Sequence, residues 1–253
     1  MKKKLPGTLL YDDNCPLCAA YTQAFVKTGM LGSENRVAFS NINPSAFNID
    51  INRARHEIPL IDTITGEVKY GIDALAEILN QKFCFVKPVL NVPPVNWFFR
   101  KLYRVISYNR TIIISDPSVK KSCFDCSPDY SFRHRWYLTL FTWTVSFLLL
   151  LQQPFAAVLS GSKGFQFTAF LMPFVVSLLL CIRKTKQQTT DILLQTGLTV
   201  MLSTFICYSA YQICISLCTF SVMHITIVTF IYTFVFIHQF YRRYHFYKNT
   251  YML

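Results

Sequence analysis

The sequence predicts an α/β domain over residues 1–82, a connector over 83–135 and an all-α transmembrane domain of four helices over 136–253. Three observations predict it. Short apolar runs bounded by turn residues alternate with helical periodicity through the first 82 residues. After Trp136 the apolar residues gather into stretches near the ~20 residues that cross ~30 Å of hydrocarbon. The chain is 52% hydrophobic and 16% aromatic yet formally +12, a combination that a soluble two-domain protein rarely shows.

The elements of the first domain follow in order. Residues 8–11 form an apolar run that reads as a strand, and two aspartates lead from it into Cys15-Pro16-Leu17-Cys18. These four open a segment of helical periodicity, with Pro16 suited to the first helical position because its missing N–H costs nothing there. Residues 36–39 read as a second strand. Residues 60–62 and 68–70 form a pair joined through 63–67, with Gly66 in the turn. Over 72–79, Ile72, Leu75, Ala76, Ile78 and Leu79 fall at helical spacing. Strand, helix, strand, helix, hairpin, helix is a minimal thioredoxin arrangement.

Two cysteines three apart at a helix N-terminus can close a small disulfide ring. The spacing leaves the first sulfur exposed, where unpaired backbone N–H groups and the positive dipole end stabilise it as a thiolate. Such surroundings lower a cysteine pKa from about 8.5 to roughly 3.5–7.5, enough for a nucleophile at neutral pH. Cys15 is thus expected to attack and Cys18 to resolve. The competing readings are half of a zinc site and two buried thiols without a role. In thioredoxin-like folds a cis-proline before a strand lies opposite the cysteines and leaves a backbone edge open for substrate; Ile58-Pro59 stands at that place, which makes Pro59 a candidate site residue. Asp12 is a candidate proton acceptor for the resolving thiol, with a loop-capping role as the alternative.

The segment 11–18, Tyr-Asp-Asp-Asn-Cys-Pro-Leu-Cys, resembles the signature of the DCC family of thiol-disulfide oxidoreductases, whose Asp-x-x-Cys-x-x-Cys pattern is met by Asp12, Cys15 and Cys18. Gly71-Ile72-Asp73-Ala74-Leu75 is similar to that family's Gly-x-Asp-Ala-Leu stretch, and residues 103–110 resemble its closing segment ending in Asn-Arg. The resemblance covers roughly residues 5–130. It implies a thioredoxin-like fold and dithiol–disulfide exchange with a protein or small-thiol substrate. The second half of the chain departs from the short soluble members of that family.

That half carries four predicted spans, at about 136–159, 165–182, 192–211 and 220–240. Gln152-Gln153-Pro154 interrupts the first. Arg133 and Arg135 precede span one, Arg183, Lys184 and Lys186 join spans two and three, and Arg242, Arg243 and Lys248 follow span four. Four spans put these clusters on one side, so the positive-inside rule predicts a multi-pass protein with the redox domain and both termini in the cytoplasm. The partners expected are the lipid bilayer and a disulfide or dithiol substrate; the basic surplus reads as topology and attraction to anionic lipid, with no nucleic-acid module beside it. The connector interleaves aromatic and basic residues over 95–108, which suits a helix in the headgroup layer or one packed on the redox domain.

The chain holds nine cysteines. Thiols in the cytoplasm are kept reduced, so a structural disulfide framework is not expected. Cys123-Phe124-Asp125-Cys126 is a possible secondary redox pair, a zinc partner of the first pair, or local structure. Cys207, Cys214 and Cys218 invite a relay to the opposite membrane face, against their ordinary use as small apolar residues. His224 and His238, fourteen residues apart in the last span, fit helix–helix hydrogen bonding better than an axial-ligand role. No Gly-rich phosphate loop and no His-Glu-x-x-His is present, and no cofactor or metal is expected. The function that follows is a membrane-anchored thiol-disulfide oxidoreductase. The alternatives are a zinc-binding or assembly membrane protein and a redox-regulated transporter.

Overall fold

A computed structural model describes residues 7–41, 49–114, 128–151, 164–217 and 222–251. The chain divides into two units, Met1–Ser131 and Phe132–Leu253.

The first unit is built on a small mixed sheet of β1 (Gly7–Tyr11), β2 (Arg36–Ala38), β3 (Pro59–Asp62) and β4 (Val68–Tyr70), in the order β2-β1-β3-β4. β1 runs parallel to β2, with Leu10 opposite Val37, and antiparallel to β3, with Leu9 opposite Leu60; β3 and β4 are antiparallel. Successive strand residues face opposite sides of a sheet. Leu9 and Leu60 accordingly enter one core with Met30, Leu31, Ile58, Ala74 and Ile78, while Leu10 and Ile61 enter the other with Phe39, Ala54 and Tyr70. Burial on both faces explains why β1 is a continuous apolar run instead of an alternating one.

Helices α1 (Pro16–Lys27), α2 (Ile51–Ala54) and α3 (Ile72–Asn80) connect and flank the strands, followed by α4 (Val86–Leu90) and α5 (Pro93–Ile113). The β1–α1 edge is tied to β2 by Arg36, whose guanidinium lies 3.7 Å from the Tyr11 ring centroid and whose Nε donates to Thr22 Oγ1 at 2.9 Å. One face of α5 packs on this unit. Tyr103 Oη accepts from Ile58 N at 2.9 Å, Ser107 Oγ donates to the His56 carbonyl, and Arg100 Nη2 donates to both Asp73 oxygens at 2.7 and 2.9 Å. Gly71 holds φ +59 beneath Tyr103, where an added Cβ would meet the ring at 3.2 Å. The opposite face of α5 is exposed, with Trp97 at 64% and Phe98 at 54%. The two alternatives for the connector are therefore not exclusive.

The second unit has helices at all four predicted positions: α6 (Phe132–Leu151), α7 (Gly164–Leu180), α8 (Lys186–Leu217) and α9 (Val222–Tyr251). α8 is central and packs on the other three. Among the described residues one helix, Lys186–Ala210, is long and apolar enough to cross a membrane, and 67% of its most apolar window is buried inside the unit. α6 begins with Arg133, His134 and Arg135, the described part of α7 has 17 residues, and α9 carries Arg242, Arg243 and Lys248 near its end.

Small and hydroxylated residues let α6 and α8 approach closely. Thr142, Ser146, Thr196, Thr199 and Ser203 return their hydroxyls to carbonyls three or four residues earlier, which satisfies them inside a buried interface. A Cβ on Gly197 would lie 2.5 Å from Thr142 Oγ1 and 2.9 Å from Trp143 Nε1, and that indole donates to Leu193 O at 3.1 Å. Two charges read from the sequence as flanking the spans are instead buried. Arg135 Nε lies 3.2 Å from Asp191 Oδ1, and Arg243 Nη1 donates to Gln195 Oε1 at 3.0 Å.

Candidate active site

The turn between β1 and α1 is organised by its own aspartate. Asp12 O accepts from Cys15 N at 3.2 Å and Asp12 Oδ1 from Asn14 N at 3.0 Å. This aims the chain into α1 with Cys15 as its N-cap at φ −104 and ψ 107, and Pro16 within the first turn. A serine, threonine or aspartate is usual at that position; here a sulfur does the same work. Cys15 Sγ accepts from Cys18 N at 3.4 Å. One turn of helix sets Cys18 directly after it, and the Cys18 carbonyl accepts from Thr22 Oγ1 at 2.7 Å.

Electrostatics separate the two thiols. A hydrogen bond from the Cys18 thiol is the largest influence on Cys15, and the Cys18 N–H and the Arg110 guanidinium add to it. Together they outweigh burial and bring its pKa down to about 7. Cys18 moves the other way, because its proton is held by Cys15 and because it is buried. One sulfur is thus poised to ionise and its neighbour to stay protonated.

The cation near both is Arg110, from the last turns of α5. Its Nη2 donates to Asp12 Oδ2 at 2.9 Å, and both side chains are less than 10% exposed. Burial raises the Asp12 pKa, against the pull of Arg110. Burial also disfavours the Arg110 charge, but Cys18, Asp12 and Cys15 more than offset it. Tyr21 and Tyr103 complete the surroundings; burial raises both phenols, Tyr103 to about 12, so both are neutral donors.

Two expectations are corrected. Cys15 is 2% exposed, so its sulfur is not open to solvent; with α5 packed on α1 and Arg110 reaching in, the reactive turn is enclosed. The described peptide bonds are all trans, Ile58-Pro59 included. Pro59 does open β3, paired with Tyr70, but no backbone edge stands free beside it: Ile58 N donates to Tyr103 and Ile58 O accepts from Gly71 N at 2.9 Å.

The structure brings together Asp12, Cys15 and Cys18, with Ile58 next to Pro59 bonded to the same α5 helix that supplies Arg110. The roles of Arg110 and Tyr103 were not read from the sequence, although both stand in the closing motif; no local spacing links them to a turn some 90 residues earlier. The Cys123 and Cys126 pair lies outside the described residues, as does Cys218, and the side chains of Cys214 and His224 are likewise undescribed. Cys207 is buried in α8, and His238 is exposed on α9, stacked with Phe234 at 6.5 Å. Among the described residues, no group of three or more His, Cys, Asp or Glu side chains is placed to hold a metal ion.

Residues 9–115 match the family described as DCC1-like thiol-disulfide oxidoreductase. No curated protein and no solved structure matches the chain. The matched region runs from β1 to the end of α5, so it takes in Cys15, Cys18 and Arg110 together, and it supports an oxidoreductase role at the level of the family.

Proposed function

We propose that this chain is a membrane-anchored thiol-disulfide oxidoreductase whose N-terminal unit is thioredoxin-like. The observation that carries the redox reading is the N-cap of α1: Cys15 accepts from Cys18 N, and its thiol is lowered to about 7. The β2-β1-β3-β4 order with a helix after β1 supports the fold assignment.

The Cys15 thiolate attacks one sulfur of a substrate disulfide, forming a mixed disulfide and expelling the other sulfur as a thiolate. Cys18 then gives up its proton, for which the buried Asp12 carboxylate is the acceptor, and attacks the Cys15 sulfur. The Cys15–Cys18 disulfide forms and the substrate leaves as a dithiol, two electrons richer. A separate dithiol must restore the reduced pair, and the same steps reversed make the protein an oxidant. Because Cys15 is enclosed, substrate entry requires α5 to shift from the α1 N-terminus.

Membrane anchoring is supported by the apolar α8 and by basic clusters at corresponding ends of the four helices. On this reading the unit with the thiols and both termini face the cytoplasm. The test is trapping with Cys18→Ser in the native membrane. A reducible adduct on Cys15 identifies the substrate, whereas a Cys15 inert to alkylation at neutral pH and without adduct defeats the redox reading.

A further inference from the structure

Segment 83–114 contains Lys87, Arg100, Lys101, Arg104 and Arg110 and no Asp or Glu. Three of these cations are committed to the first unit: Lys87 to Glu77, Arg100 to Asp73 and Arg110 to Asp12. Lys101 and Arg104 are exposed, and they continue the row begun by Trp97 at i, i+4 and i+7. Beside it runs a second row, Phe98, Leu102 and Ile106, at i, i+4 and i+8, exposed at 54%, 40% and 40%. Phe85, 62% exposed just before α4, adds to this apolar surface.

We infer that the exposed face of α5 seats the N-terminal unit on the anionic headgroup layer of a bilayer. This rests on the membrane attachment proposed above. An aromatic and aliphatic row beside a basic row is the pattern of a helix lying in the interface plane, with rings at headgroup depth and cations on lipid phosphates. Charge also selects among occupants. A second copy meeting this face by two-fold symmetry would oppose Lys101 and Arg104 with themselves, in a segment that offers no carboxylate. An anionic lipid surface meets both rows at once. The opposite face of the same helix holds Arg110 at the thiols, so the lipid-facing helix is the one that encloses Cys15.

The experiment uses the full chain in phosphatidylcholine vesicles, with and without phosphatidylglycerol, whose acyl chains carry bromine close to the headgroup. The fluorescence difference between the wild type and Trp97→Phe isolates Trp97, and flotation reports whether the chain is in the membrane. The expected result is quenching of the Trp97 share in anionic vesicles. Lys101→Gln with Arg104→Gln should weaken seating about 25-fold, from about fivefold per basic residue, with an unchanged unfolding midpoint. An unquenched Trp97 share in a chain that floats would overturn the inference and leave attachment standing, with a protein covering the face. Equal quenching in neutral vesicles would overturn the anionic requirement. A chain that does not float would overturn both readings.

Discussion

Removing the Arg110 charge tests whether the cation that α5 carries to the thiols sets their chemistry. Its Nη2 is 2.9 Å from Asp12 Oδ2, and both side chains are below 10% exposed. At an effective dielectric of about 20, two unit charges at this separation attract by about 6 kcal/mol. Desolvation of both offsets much of that, and breaking such a buried pair from one side typically costs about 3–5 kcal/mol because the other charge is stranded. Arg110→Gln should therefore lose about 3–5 kcal/mol in urea unfolding, a large part of the roughly 5–15 kcal/mol of an ordinary domain. Asp12→Asn with Arg110→Gln removes both charges and should recover more than half of the loss. Stability alone would not separate a structural pair from one that tunes the thiol. The second readout is the pH dependence of Cys15 alkylation in the reduced protein. With Arg110 gone, the midpoint should rise from about 7 toward the ordinary 8.5, and with it the rate at pH 7 should fall several-fold. A stability loss below about 1 kcal/mol together with an unmoved midpoint would refute the argument.

In the wild type, alkylation of Cys15 should rise with pH around a midpoint near 7, where half is thiolate against about 3% for a free thiol of pKa 8.5. Folding lowers this pKa, so the thiolate stabilises the reduced protein above about pH 8.5 and the gain is lost as pH falls through about 7; unfolding of the reduced chain across that window measures it. Cys18→Ala deletes the thiol that donates to Cys15 and should raise the alkylation midpoint, as read by mass spectrometry. Tyr103→Phe strips the acceptor from the Ile58 N–H and should cost about 1–3 kcal/mol in chemical unfolding, with faster hydrogen exchange at Ile58. Gly197→Ala gains helix propensity of about 1 kcal/mol, but the new Cβ meets hydrogen-bonded Thr142 and Trp143; a net loss of about 1–3 kcal/mol in thermal unfolding is expected, and an unchanged midpoint would mean that α6 moves aside freely.

The sequence by itself determined the local items. The apolar run of β1, the proline after Cys15, the hairpin through Gly66 and the periodicity from Ile72 each encode a backbone state within a few residues, and each element formed where its pattern stands. The four helices of the second unit were legible for the same reason, since runs of apolar residues stay helical in any apolar surround. Tertiary structure decided what depends on residues far apart in the chain. Arg110 is 98 positions from Asp12, and only the docking of α5 against α1 joins them. The same docking encloses a Cys15 that its helix-terminal position alone would leave open, and it occupies the Ile58 N–H that a substrate edge would need. Arg135 and Arg243 read as topological charges because sequence counts charge without direction; packing turned them inward to Asp191 and Gln195. Local propensity depends on neighbours in sequence, whereas a side chain's electrostatic partner and exposure depend on which surfaces meet, and that is fixed only when the helices close on one another.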